Sequence, residues 1–366
     1  MHVLDLVERI LRKRPVAFVG EQDRYVLLNG TCGAGGFESI GQFNEDRNLP
    51  IKEYMSYDEM KLSALLSVSS KSYFINDGSR RNNGVKGTEG SFQKNGVIVG
   101  QVGTRFENPG KMEWQDCIIT PDQNRRQDGY GENPGKKNCL LQEWSKLWDV
   151  PCFPAWDEVY RSGNKKYIPT KIKDVRLNEI VYKSRIKMPI EVLLYEAEQR
   201  GRETNKKVYL HVVGLGLGAW GLVECQAQHF VDSCGDVLTE KQFRNIAFID
   251  FSWIPVTSCK STKNNEKFPN TDIVIIFSKR SLHDPVPEGL LLVCNFAWDG
   301  NSLPGNEYWM GALSSSGDPA AACSSGVAEL HNALINPQIT STNLHIATHE
   351  GIMHVSDYAK MWIEKT

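Results

Sequence analysis

The stretch VYLHVVGLGLGAWGL, residues 208–222, decides the fold. Its first half is an apolar, β-branched run of the kind that fills a strand covered on both faces, and its second half carries glycine at 214, 216, 218 and 221. A strand that enters a glycine-rich loop ahead of a helix is a phosphate-binding turn. Glycines let an anion approach the backbone, and the free N–H groups at the helix start carry the positive end of the helix dipole. A ligand bearing a diphosphate is the first expectation, and a tight turn where helix and strand pack closely is the bland alternative.

Working outward, the pattern predicts a helix at about 221–234, strands at 245–254, 272–278 and 290–297, a helix at 319–331 and an amphipathic helix near 355–364. Upstream, an amphipathic helix opens the chain and AFVG and YVLLNG are short strands. A helix follows at 57–69, then turn-rich sequence at 75–91, a buried strand in GVIVGQVGTRF and a second in MEWQDCIIT. Residues 121–138 are a polar excursion, 139–149 and 155–161 short helices, and 188–203 a helix with Pro189 near its start. Alternating helices and apolar strands imply an α/β fold, a mixed, mostly parallel sheet covered by helices, with N-terminal and loop elaborations. Residues 1–54 form a helix and extension packed on the core, and 55–366 the ligand-binding catalytic domain.

The formal charge of −2, with acids and bases interspersed, lacks the field of a nucleic-acid-binding protein. Nine cysteines without a Cys-x-x-Cys pair read as reduced thiols. No signal-peptide core is visible, and no run approaches the roughly 18 apolar residues of a membrane span. A cytosolic protein without nucleic-acid or membrane partners is expected.

Gly216, Gly218 and Gly221 also satisfy G-x-G-x-x-G, which admits a nicotinamide-dependent oxidoreductase, although Asp250 lies farther downstream than a ribose-binding acid should. Trp220 can cover a ribose or belong to the core. A second constellation, NFAWDGNSLPGNEYWMGALSSSGD at 295–318, follows a strand end, where α/β sheets hold ligands. Asp299, Glu307 and Asp318 there offer acid/base partners and acceptors for ribose hydroxyls. Asp318 before Pro319 is equally a helix N-cap, and Asn295, Asn301 and Asn306 can bind sugar or stabilise turns. In the strand read at 112–120, Glu113, Gln115 and Asp116 face a cleft or solvent, and Arg105 meets a phosphate or pairs with Glu107. His345, His349 and His354 lack the accompanying spacing of a metal site, so neither metal nor cofactor is assigned.

GLGLGAWG at 214–221 resembles the diphosphate loop of macrodomains, especially that of poly(ADP-ribose) glycohydrolases, with Trp220 at an aromatic position. More closely, INDGSRRN, GVIVGQVGTRFENPGKMEWQD, AWDGNSLPGNEYW and SGDPAAACSS together resemble the divergent macrodomain ADP-ribosylhydrolase family of the Legionella effector MavL, through most of residues 55–340. The resemblance implies a macrodomain-like domain that binds ADP-ribose and removes it from arginine on a modified protein, ADP-ribosylated ubiquitin being the notable case. It implies that Gly214, Gly216, Leu217, Gly218, Ala219, Trp220 and Gly221 hold the diphosphate and adjoining ribose. Asp299, Glu307 and Asp318 would surround the reacting ribose, with Asn295, Asn301, Glu113, Gln115 and Asp116 as further contacts. Glu307 stands where the family leads one to expect aspartate, and the asparagine-bearing loop follows the diphosphate loop instead of preceding it. A non-catalytic ADP-ribose reader is the alternative within the same pocket.

Overall fold

The computed structural model describes residues 2–315, 317–348 and 350–363. Its centre is a seven-stranded sheet: β1 (Val68–Tyr73), β2 (Asn95–Gln101), β3 (Val208–Val212), β4 (Ile246–Ser252), β5 (Glu266–Lys267), β6 (Val274–Ser278) and β7 (Leu291–Ala297). The spatial order is β5-β6-β4-β3-β7-β2-β1, parallel throughout except for antiparallel pairings at the two edges. The helices that bear on the site are α1 (Val3–Arg12), α2 (Tyr57–Ser63), α3 (Trp114–Cys117), α4 (Glu179–Thr204), α5 (Gln226–Glu240), α6 (Asn306–Trp309) and α7 (Asp318–Ala322).

Successive strand residues point to opposite faces, so each apolar run feeds two cores. Val97, Val99, Leu210 and Val293 share a core with Ile186, Ile190 and Leu193 of α4 and Phe230 and Val231 of α5. Ile98, Leu292, Cys294 and Phe296 belong to the other core, with Ala321 and Ala322 of α7. No helix among the described residues is long and apolar enough to cross a membrane.

Several local expectations change. Pro189 lies well inside α4, a 26-residue helix, and not near its start. Val181, Ile186, Ile190 and Leu194 continue one buried stripe through the proline, so packing overrides the lost N–H, and the Pro189 carbonyl accepts from Gln101 Nε2 at 2.7 Å. MEWQDCIIT is a helical turn, α3, leading into the two-residue strand Ile118–Ile119. Glu113 and Asp116, three residues apart, can both enter the core from a helical turn, which a strand would forbid. The helix expected to 69 stops at Ser63, and β1 begins at Val68; its polar sequence VSSKSY suits a sheet edge. The helix expected at 319–331 divides into α7 and Val327–Leu330, and α5 starts at Gln226 instead of 221.

The first 54 residues supply α1 and a three-stranded sheet (Ala17–Val19, Arg24–Val26, Cys32–Ala34). Ile10, Phe18 and Phe37 form one core with Met60 of α2 and Met112. Arg9 pairs with Glu59 across the same contact.

One buried ion pair ties α4 to the sheet. Arg185 donates to Glu113 Oε1 from Nε at 3.1 Å and Nη2 at 2.9 Å, and both residues are only 1% exposed. The same guanidinium reaches the carbonyls of Ala64, Val102 and Gly103 at 3.2–3.4 Å. Arg185→Met, which strands a buried carboxylate, should lower stability by about 3–5 kcal/mol in urea unfolding, and adding Glu113→Gln should recover much of that loss. Simple additivity of the two single losses would contradict the coupling.

Candidate active site

The chain runs from β3 through α5 to β4 and β6 on one side, then returns to place β7 on the other side of β3. Such a switch in direction opens a crevice at the carboxyl ends of the strands. Three loops meet there, following β2, β3 and β7.

The loop after β3 is seated by backbone contact. A Cβ on Gly103 would lie 2.4 Å from the Gly216 nitrogen, and Gly216, at φ +71°, would meet the Thr104 carbonyl at 2.7 Å if it carried one. Asn295, buried on β7, accepts from Val213 N at 2.8 Å and clamps the loop at its start. Leu215 is buried, whereas Gly218, Ala219 and Gly221 are exposed. Among the described residues, the backbone N–H groups from Gly216 to Trp220 have no acceptor in the protein. Gln226 closes the start of α5 itself, accepting from Leu222 N at 2.6 Å and Val223 N at 2.7 Å. The donors available to an anion therefore lie in the loop, ahead of the helix. A dinucleotide fold would use the helix start and an acid at the end of the next strand; Asp250 instead accepts from Tyr209 at 2.7 Å and Ser278 at 2.9 Å.

Trp220 is half-buried, and its indole N–H donates to Glu107 Oε2 at 3.1 Å. Glu107 also accepts from Arg105, whose Nη2 reaches Asp23 Oδ1 at 2.6 Å. Asp23 accepts further from Tyr57 at 2.7 Å and Asn108 at 2.6 Å. Arg105 thus pairs with Glu107, as one expectation had it, and with a residue of the N-terminal extension that the sequence reading missed. Asp23 sits in a polar tract, EQDR, and nothing in its spacing distinguishes it.

The loop after β7 gathers the acids. Asp299 Oδ1 accepts from the backbone of Asn301 at 2.7 Å and Ser302 at 3.0 Å, and Oδ2 from Ser302 Oγ at 2.6 Å and Asn306 Nδ2 at 3.3 Å. Asp318 is not an N-cap. Gly317 caps α7, and Asp318 Oδ2 accepts from Gly305 N at 2.5 Å, while its buried Oδ1 has no partner among the described residues. Burial, reinforced by the charges of Asp299 and Glu307, holds the Asp318 carboxyl well above its ordinary range. Glu307 is half-buried, and its carboxylate has no hydrogen-bond partner among the described residues. Burial first, and Asp299 second, push it upward. One strongly solvated carboxylate beside two that resist ionisation is an arrangement suited to proton transfer.

The remaining expected contacts are placed differently. Glu113 is committed to Arg185, and Asp116 accepts from Lys61 Nζ at 2.6 Å and Trp148 Nε1 at 2.8 Å, so both stand in the core instead of facing a cleft or solvent. Gln115 donates to the Gly110 carbonyl at 3.1 Å. Asn301 shapes the Asp299 turn, with Nδ2 3.7 Å from Met112 Sδ. His345 and His354 face each other on the hairpin His345–Thr348/Gly351–His354, and His349 lies outside the described residues. No cluster of metal-binding side chains occurs among the described residues.

A glycine loop with unpaired N–H groups among the described residues and a cluster of three carboxylates, two half-buried and one buried, thus stand on loops at the same end of the sheet. The chain belongs to the MavL-like ADP-ribosylhydrolase family, which it matches over residues 1–361, and is accordingly a glycosidic-bond hydrolase. It is 38% identical over 378 residues to ADP-ribosylarginine hydrolase CG2909 of Drosophila melanogaster, covering 97% of this chain and 74% of the relative. ADP-ribosylarginine hydrolase CG3568 of the same fly is 38% identical over 384 residues, covering 99% and 74%.

Asp318 carries a cost in stability with a definite sign. Well below the ordinary carboxylate value of 3.8 both folded and unfolded chains hold its proton; as pH rises through that value the unfolded chain ionises first, so stability falls as pH rises toward the folded value. Asp318→Asn should therefore raise Tm at pH 7 by roughly 2–4 °C for each kcal/mol relieved, with the gain vanishing near pH 4. A variant less stable than wild type at pH 7 would refute this account.

Proposed function

We propose that the protein hydrolyses the N-glycosidic bond between ADP-ribose and an arginine guanidinium on a modified protein. The observation that carries this reading is the placement of Asp299, Glu307 and Asp318 at one strand end beside a loop whose N–H groups from Gly216 to Trp220 are free. The names of the fly relatives support arginine as the linkage. On this reading the domain is macrodomain-like. The diphosphate lies on the loop from Gly214 to Gly221, and Trp220, fixed by Glu107, covers the adjoining ribose.

Cleavage passes through an oxocarbenium-like state, so a carboxylate near the anomeric carbon stabilises developing positive charge. Asp299 takes that part and orients the attacking water. The water oxygen forms the new bond to the anomeric carbon as the carbon–nitrogen bond breaks. The water proton passes to a carboxylate, and the guanidine leaves carrying a proton, for which the elevated Glu307 and Asp318 carboxyls are the donors at hand. Binding energy from the diphosphate end aligns the reacting bond. Ubiquitin modified on arginine is the substrate suggested by the family resemblance, and the cytosol suits nine free cysteines.

Substrates ADP-ribosylated separately on arginine, serine and glutamate provide the test. The arginine adduct alone should lose its label, and Asp299→Ala should slow release by about 10²–10⁴-fold while ADP-ribose still binds. Binding without release from any substrate would leave a reader in place of an enzyme. Gly218 tests the other end, because a Cβ there meets open space. Gly218→Val should keep the wild-type Tm but weaken ADP-ribose by about tenfold or more, a loss of at least about 1.4 kcal/mol in calorimetric titration; unchanged affinity would remove the loop from the binding site.

A further inference from the structure

Behind the acidic loop lies a cation that the reaction scheme above does not use. Arg14, in the segment leaving α1, is 2% exposed, and no carboxylate lies within ion-pair distance of it among the described residues. Its Nε donates to the Ile10 carbonyl at 2.8 Å and its Nη2 to Ser63 Oγ at 3.0 Å. Ser63 Oγ donates in turn to the Gly300 carbonyl at 2.8 Å, one residue beyond Asp299. The guanidinium lies 4.5 Å from the ring centre of Trp298, one residue before Asp299. Leu303 N, beyond the turn, donates to the Pro15 carbonyl at 3.1 Å. The Asp299 turn is therefore held on several sides by Arg14 and its immediate neighbours.

A guanidinium taken out of water without an ion pair is costly, and burial pulls this one down to about 10. The charge that works against that loss is Asp299. From the other side Asp299 faces Glu307 and Asp318, two groups of its own sign. Arg14 is the opposite charge in this set.

We propose that Arg14 is a positioning residue of the hydrolase: its guanidinium supplies the counter-charge to Asp299, and its bridge through Ser63 fixes the turn that aims that carboxylate. The inference rests on the proposed hydrolysis. It makes the N-terminal extension a working part of the catalytic site.

The test is the pH dependence of kcat/KM for release of ADP-ribose from the arginine adduct, with Tm and ADP-ribose affinity measured alongside. Removing the cation in Arg14→Met leaves the cluster of acids without its counter-charge, so the acid limb should move to higher pH by about one unit, with kcat reduced. Arg14→Lys keeps the charge but loses the planar fork; its acid limb should stay at the wild-type pH while kcat falls. A merely structural arginine would lower Tm and leave the limb in place, so a folded Arg14→Met with an unmoved limb overturns the proposal. If Arg14→Met does not fold, Ser63→Ala decides: reduced kcat with unchanged ADP-ribose affinity supports the bridge, and wild-type kcat overturns it. A wild-type chain that releases nothing from any adduct fails at the level of the hydrolysis itself, whereas an active wild type with unmoved variants removes only Arg14.

Discussion

The backbones of Gly103 and Gly216 approach so closely that neither tolerates a side chain, and the architecture of the crevice depends on that approach. Their parent strands, β2 and β3, are not neighbours; β7 runs between them. The two loops can meet only over the carboxyl end of β7, which is where the acidic loop emerges. Contact between the first two loops therefore fixes the floor beneath the third. Arg185 extends the constraint into the core, because the carbonyls of Val102 and Gly103 that it holds belong to the same turn. This geometry gives the buried Arg185–Glu113 pair a role in position, although such pairs contribute little net stability.

Much of this frame was legible in the sequence, and the legible part has a common physical character. β2, β3 and β7 are buried on both faces along most of their length and so carry a strong apolar signal, and the glycine loop announces itself because backbone contact at Gly216 leaves no room for a side chain. The clustering of Asp299, Glu307 and Asp318 was visible for a similar reason, because the three acids follow one buried strand closely in sequence. The failures arose where distant residues decide local form. Glu113 and Asp116 read as polar positions of an imperfectly alternating strand until Arg185 and Lys61, far away in sequence, draw both into the core from a helical turn. Pro189 reads as a helix start because the buried stripe preceding it is interleaved with Lys183, Lys187 and Arg185. Asp318 satisfies every local rule for a cap, but a backbone N–H thirteen residues away in sequence claims its side chain.

The acidic loop also shows how carboxylates of similar intrinsic acidity acquire different duties. Asp299 has both oxygens saturated by donors on its own turn, a solvation shell built from protein. Among the described residues, Asp318 has a buried oxygen without a donor, and Glu307 has no hydrogen-bonded partner for its carboxylate. Ionising one member of the set disfavours ionisation of the others, so unequal solvation selects which member holds the charge. On the proposed reading, hydrolysis that needs an anion beside the anomeric carbon and a proton near the leaving nitrogen would draw both from this inequality.

The N-terminal extension reaches each wall of the crevice through a buried charge. Asp23 acts through Arg105 and Glu107 on Trp220 in the loop after β3, and Arg14 acts on the Asp299 turn. Burying an acid and a base in an accessory segment costs desolvation that apolar residues would have avoided. Packing alone does not call for them, since Ile10, Phe18 and Phe37 already seat the segment on α2. What the charges add is direction, because a hydrogen-bonded guanidinium or carboxylate fixes its partner's orientation in a way that an apolar contact cannot. A displacement at residues 14–23 is consequently transmitted to the loop after β3 and to the Asp299 turn. The extension and the sheet loops are thus coupled through these hydrogen bonds even though their hydrophobic cores are separate.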